Sequence, residues 1–175
     1  MPKVLVLISH PQIEKSRINN ALKRAVSSIP SVTIHHLDEV YANQPIDVNF
    51  EQKLVEQHDV IVWQFPWYWY STPALLKLWQ DEVLTRGWAF DGGQALRGKK
   101  LQLVVSTGGS EDAYSTDGVH GVTMDELLVP IATTARIVGL EMLPPFITHG
   151  VRHLTDQELE DLAESFAATV SKLSH

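Results

Sequence analysis

The stretch Val60-Ile-Val-Trp-Gln-Phe-Pro-Trp-Tyr-Trp-Tyr-Ser-Thr-Pro73 decides how the rest of the chain is read. It opens on an apolar, β-branched run, the composition of a strand covered on both faces. Proline has no N–H to donate to a ladder, so the run breaks at Pro66. The aromatic loop Trp67, Tyr68, Trp69, Tyr70 follows. Thr72-Pro73 then opens a helix, with threonine as the cap and proline at the first helical position. All five tryptophans of the chain fall between residues 63 and 88. A buried strand therefore delivers flat rings to one end of a sheet, where they suit a flat ligand.

The same grammar repeats on either side. Upstream, Val4–Ile8 is a second continuous apolar run. Ile18, Leu22, Ala25, Val26 and Ile29 then recur at helical spacing, with Ser16 as cap and Pro30 as the stop. Residues 33–37 form a further strand, and Asn49 with Gln52 has the spacing of a capping box for a short helix through Gln57. Downstream of Pro73, Leu75, Leu76, Trp79 and Val83 make an amphipathic helix. Residues 101–105 are the fourth strand. A helix spans residues 124–138 with a kink expected at Pro130, residues 144–148 make a weak fifth strand, and Thr155 with Glu158 caps the last helix.

Strands and helices alternate throughout, which demands right-handed crossovers and a parallel sheet. The expected fold is α/β: a flavodoxin-like three-layer sandwich, one domain over residues 1–175, with a five-stranded parallel sheet in the order 2-1-3-4-5 and helices on both faces. At 175 residues, 44% hydrophobic and 20% charged, the chain has enough material for one real core. A net charge of −7 gives no basic footprint for nucleic acid. The absence of cysteine excludes disulfide and thiolate chemistry. Val4–Ile8 is too short for a signal-peptide core or a membrane span, so a cytoplasmic protein is expected.

Ligands of such sheets bind beyond the carboxyl ends of the strands. Three loops lie there: residues 9–19, 65–72 and 106–120. In the first, Ser16-Arg17-Ile18-Asn19 begins a helix whose free N–H groups suit a phosphate, and His10, Ser16, Arg17 and Asn19 add side-chain donors. A plain cap with a solvated arginine is the simpler reading, because no glycine-rich phosphate loop is present. In the second, Trp67, Tyr68 and Trp69 offer stacking surface. Trp63 and Trp79, on a strand and a helix face, are expected to fill the core instead. In the third, Thr107-Gly108-Gly109 lets the backbone approach a ligand closely. Tyr114 and His120 are a candidate proton donor and charge stabiliser there. His149 and His153 stand four apart with no helix between them, a poor zinc site. No metal site is expected.

Three segments taken together resemble the NAD(P)H:quinone oxidoreductase family of flavodoxin-like proteins: Ser9-His10-Pro11; Phe65-Pro-x-x-Trp-Tyr-Ser-x-Pro-Ala-Leu-Leu-Lys77; and Thr107-Gly-Gly-Ser-x-x-x-Tyr114 with His120-Gly121. The likeness covers about residues 3–145. The short bacterial members are nearest, among them general stress flavoproteins and ancillary proteins of glutathione-regulated potassium-efflux systems. The resemblance implies a noncovalent flavin, with FMN favoured over FAD because the chain is short. It places His10 and Ser16 to Asn19 on the phosphate and ribityl chain, Pro66, Trp67, Tyr68 and Trp69 against the ring, and Ser106 to Gly109 at its pyrimidine edge. It assigns Tyr114 and His120 to the negative charge of the reduced flavin. It also implies NAD(P)H as reductant, a quinone or similar flat acceptor, a ping-pong cycle and a homodimer. A regulatory partnership with a potassium-efflux transporter is the alternative it leaves open. A one-electron shuttle would carry a hydroxyl-rich loop after the first strand, where Ser9-His10-Pro11 stands.

Overall fold

The computed structural model describes residues 1–174. Its centre is a parallel sheet in the order β2-β1-β3-β4-β5. The strands are β1 (Val4–Ile8), β2 (Val32–His36), β3 (Val60–Pro66), β4 (Lys100–Ser106), β5 (Glu141–Met142) and β6 (Phe146–Thr148). β1 and β3 are buried along their whole length, as their unbroken apolar runs demand. The order is the expected one, and it puts the topological switch between β1 and β3.

Alternate residues feed two cores. Val4, Val6 and Ile8 meet Ile18, Leu22 and Val26 of α1 (Arg17–Val26) and Phe166 and Val170 of α6 (Asp156–Leu173). Leu5, Leu7, Ile61, Trp63 and Phe65 meet the other face. That face is covered by α3 (Val48–Glu56), α4 (Ala74–Val83) and α5 (Met124–Val138). Trp63 and Trp79 are core residues, set edge to face at 6.0 Å. The Trp79 indole N–H donates to Glu51, a fully buried carboxylate that also takes the Tyr41 hydroxyl and the His35 ring. Three donors offset the cost of keeping that group dry.

Several boundaries differ from expectation. β3 runs on to Pro66, because its pairing with β4 extends to Pro66 opposite Ser106; a proline in the last strand position forfeits no ladder bond. Leu37 leaves β2 and starts a four-residue helix, α2 (Leu37–Val40), too short to show a period. Asp47, not Asn49, caps α3, and Gln52 instead donates to Val83 O and Thr85 Oγ1. Pro73 itself is the N-cap of α4, and the Thr72 hydroxyl is buried without a bond among the described residues. The fifth track is split into β5 and β6, both paired with β4. Between them lies Leu143-Pro144-Pro145, whose two prolines cannot donate. Ser16 and Thr155 cap α1 and α6 as expected, and Thr123 with Glu126 adds a capping box on α5 that the sequence reading overlooked.

Candidate functional site

The carboxyl ends of β1, β3 and β4 are tied together by a buried polar network. Gln64 at the end of β3 donates to Asn19 O at 2.8 Å. Asn19 donates through its amide to Ser106 Oγ at 2.9 Å and to Ser16 Oγ at 3.1 Å. The amino end of α1 is thus fixed against the tips of two strands. Its cap meets the N–H of Asn19, while the N–H groups of Arg17 and Ile18 belong to the first turn that no helix can satisfy internally.

The loop after β1 is pinned from below. Asp38 accepts the His10 N–H at 2.8 Å and the Ser9 hydroxyl at 3.1 Å, and the His36 ring reaches His10 O at 3.0 Å. The Gln12 N–H donates to His10 Nδ1. That bond makes Nδ1 a lone pair and leaves the proton of neutral His10 on Nε2. Burial pushes the His10 pKa below its ordinary 6.5, against the opposing pull of Asp38, so the neutral form is favoured.

After β3, the Trp67 N–H bonds to Ser106 O at 2.8 Å. The Trp67 ring is buried against Phe65, and its buried indole N–H has no partner among the described residues. Tyr68 and Ser71 then exchange two backbone bonds of 3.0 Å, closing a two-residue hairpin tip. Both tip residues are left-handed, Trp69 at φ 44° and Tyr70 at φ 61°, positions usually given to Asn and Gly. Trp69 is 92% exposed.

After β4, the loop 107–109 runs beside the loop that follows β6: Thr107 N–H bonds to Thr148 O, and Gly150 N–H to Gly109 O. A Cβ on Gly109 would stand 3.1 Å from both His120 Nε2 and Tyr114 Cε2. The Tyr114 and His120 rings stack at 4.4 Å, the Tyr70 hydroxyl reaches His120 Nδ1 at 3.1 Å, and His149 lies 5.2 Å from Tyr114. Burial raises the Tyr114 hydroxyl above its ordinary pKa.

A cavity of about 740 Å³ opens between these loops, within the range of small-molecule and cofactor sites. Of the residues singled out in the sequence, His10, Ser16, Arg17, Ile18, Asn19, Pro66, Trp67, Tyr68, Ser106 and Gly108 lie on its wall. Trp69 does not: its ring points to solvent. Thr107, Gly109, Tyr114 and His120 form a neighbouring cluster rather than wall. Arg17 is also less free than expected, since it bonds Leu154 O at 2.9 Å and Asp156 at 2.5 Å. The wall further includes Lys15, Val151 and Arg152, which the sequence reading passed over. Residues 149–152 follow the last strand, so the strand-end rule covered them too; the weakness of that strand hid it.

Among the described residues, Lys15, Arg17 and Arg152 line this cavity and no carboxylate does, in a chain of net charge −7. A wall of that kind concentrates anions. With the open N–H groups of α1 it suits a phosphate, and Pro66, Trp67 and Tyr68 on the same wall suit a flat ring.

A family model described as a flavodoxin-like fold matches residues 2–173. The chain belongs to the family of flavodoxin-like NAD(P)H oxidoreductases. It is 45% identical over 172 residues to an uncharacterized NAD(P)H oxidoreductase of Bacillus subtilis, covering 98% of this chain and 87% of the relative. It is 40% identical to a glutathione-regulated potassium-efflux system ancillary protein of Pectobacterium atrosepticum, over 97% of this chain and 93% of that one. Among solved structures, general stress protein 14 of Treponema denticola in complex with FMN superposes with a TM-score of 0.93 at 41% identity, covering 98% and 99% of the two chains. An NADPH-quinone reductase from P. pentosaceus gives 0.88 at 33% identity, covering 95% and 96%.

Proposed function

We propose that this protein is an FMN-dependent NAD(P)H:quinone oxidoreductase that passes two electrons to a flat acceptor in a ping-pong cycle. One observation carries the reading: a single cavity joins the amino end of α1, lined among the described residues by cations without carboxylates, to a wall made by Pro66, Trp67 and Tyr68. The relatives named for NAD(P)H, FMN and quinone support it. FMN is preferred to FAD because the 41% identical general stress protein 14 was solved in complex with FMN.

His10 Nε2–H and the first turn of α1, Ser16 to Asn19, hold the phosphate. Pro66, Trp67 and Tyr68 hold the ring, and Trp69, next to Tyr68 on the exposed hairpin tip, covers the reactant from outside. In the loop from Ser106 to Gly109, Ser106 and Gly108, which line the cavity, meet the pyrimidine edge. Bound FMN supplies the hydride chemistry that no side chain here can perform. Tyr114 and His120, stacked against Gly109, stabilise the negative charge that collects at that edge. NAD(P)H and quinone use the same opening in turn. A homodimer completes each site, and the protein works in the cytoplasm.

Protein purified without added cofactor should be yellow and should bleach anaerobically with NAD(P)H. Colourless protein that takes up no FMN refutes the proposal. The double change Tyr114→Phe with His120→Gln should lower quinone turnover at least tenfold with FMN retained; unchanged turnover removes those two residues from the reaction.

A second role is favoured by the 40% identity to the potassium-efflux ancillary protein: this chain binds and activates a membrane transporter from the cytoplasmic side. Among the described residues no helix is long and apolar enough to cross a membrane, so such a role requires a membrane partner. Co-purification with a potassium-efflux transporter, lost on dilution of neither protein alone, distinguishes it.

A further inference from the structure

The loop after β6 carries a group that the proposed function does not use. His149 Nδ1 lies 2.9 Å from Thr107 Oγ1, and the same Thr107 hydroxyl donates to Gly109 O at 2.9 Å. A hydroxyl has one proton. With that proton on Gly109 O, His149 Nδ1 must carry the hydrogen of its own bond. The opposite arrangement, hydroxyl to imidazole, makes one hydrogen bond fewer, since Gly109 O then keeps only the Gly150 N–H. The Nδ1–H tautomer is therefore selected, and Nε2 is left as a lone pair without a partner among the described residues.

We propose that His149 is a positioning residue for the Thr107–Gly109 turn and a proton carrier for the same site. Its Nδ1–H fixes the turn whose backbone faces the cavity at Gly108, and its Nε2 takes up one proton from solvent when a hydride enters. This rests on the FMN reading above. NAD(P)H delivers a hydride, two electrons with one hydrogen nucleus, and leaves as NAD(P)⁺; the occupied cavity gains one negative charge; His149 gains one proton. When the hydride passes on to a quinone, the quinone takes one proton from solvent and leaves as hydroquinone, and His149 releases its own proton to solvent as the cavity loses the charge. The groups around His149 allow this. Burial holds its pKa below the ordinary 6.5, opposed by the carboxylate of Glu111. Tyr114 covers one ring face and His120 stacks behind Tyr114. Arg152 stands on the cavity side of Gly108, its Nε 3.8 Å from where a Cβ there would be. A new negative charge in the cavity shifts the balance toward the imidazolium.

The test uses full-length FMN-loaded protein and the variants His149→Asn and His149→Ala. The asparagine amide keeps a donor near the Nδ1 position and cannot titrate. Wild type should hold reduced over oxidised FMN about tenfold better at pH 6 than His149→Asn does, about 30 mV in a two-electron potential, with the two proteins converging at pH 8. His149→Asn should keep the wild-type FMN affinity and His149→Ala should lose at least fivefold. Identical potentials across pH in wild type and His149→Asn overturn the proton role. Equal FMN affinity in all three overturns the positioning role. If no variant binds FMN, the functional reading falls by itself, and nitrogen-15 NMR of the His149 ring in the free protein still decides: an Nδ1–H tautomer upholds the positioning role and an Nε2–H tautomer overturns it.

Discussion

Replacing Trp69 by asparagine should make the free protein more stable and the enzyme slower. Trp69 and Tyr70 both sit at positive φ, and a left-handed conformation costs an ordinary side chain about 1–2 kcal/mol. The two-residue tip thus stores about 2–4 kcal/mol on that scale. Asparagine enters this region at much lower cost. Trp69 is 92% exposed, so its removal gives up almost no buried area. Trp69→Asn should gain about 1 kcal/mol, raising Tm by about 2–4 °C for a chain of this size. Adding Tyr70→Gly relieves the second residue. It also removes the Tyr70 hydroxyl from His120 and an edge-to-face contact at 5.4 Å, together about 1–2 kcal/mol. The double variant should therefore gain nothing over the single one. Urea and thermal melts of FMN-free protein measure the stability term. Steady-state turnover of the loaded protein measures the other half, expected to fall because Trp69 covers the reactant. If Trp69→Asn lowers Tm with an unchanged m-value, strain at the tip is not what the structure implies.

Other perturbations separate the parts of the site. Gln64→Leu removes the donor to Asn19 O from a fully dry position; stability should drop by about 1–3 kcal/mol, and FMN affinity, read by fluorescence titration, should fall with it. Gly109→Ala forces a methyl against His120 and Tyr114, each 3.1 Å away, and should lower the FMN potential while leaving the fold intact by circular dichroism. His10 and His149 both have folded pKa values below 6.5. The unfolded chain then binds more protons, so their stabilising effect is complete above pH 6.5 and is lost as pH falls below it. Free protein should lose stability between pH 7 and pH 5, and the double variant His10→Asn, His149→Asn should show a flatter profile.

The fold was legible because its signals are local and periodic. Val4–Ile8 and the run from Val60 are too apolar for any place but the middle of a covered sheet, and Ser16 and Thr155 carry their caps in plain view. What escaped notice depended on contacts distant in sequence. Asp47 won the α3 cap because Gln52 was drawn to Val83 and Thr85, some thirty residues on. Trp67 and Trp69 look alike in the sequence, yet a left-handed tip sends one inward and the other out. Arg17 reads as a solvated side chain, open to a phosphate, until Asp156, from the far end of the chain, stands beside it. Exposed pairs of this kind hold weakly, about 0–1 kcal/mol, so an arriving phosphate can compete for the guanidinium.

The paired prolines that divide the last track have an effect beyond the site. A sheet margin with a long row of open N–H and C=O groups invites another chain to add itself as a strand. Here the outermost pieces are two and three residues long, offset by a segment that cannot donate at Pro144 or Pro145. No foreign strand can extend its ladder along that margin for more than a few residues, which guards a partly unfolded population against fibrous growth from this side.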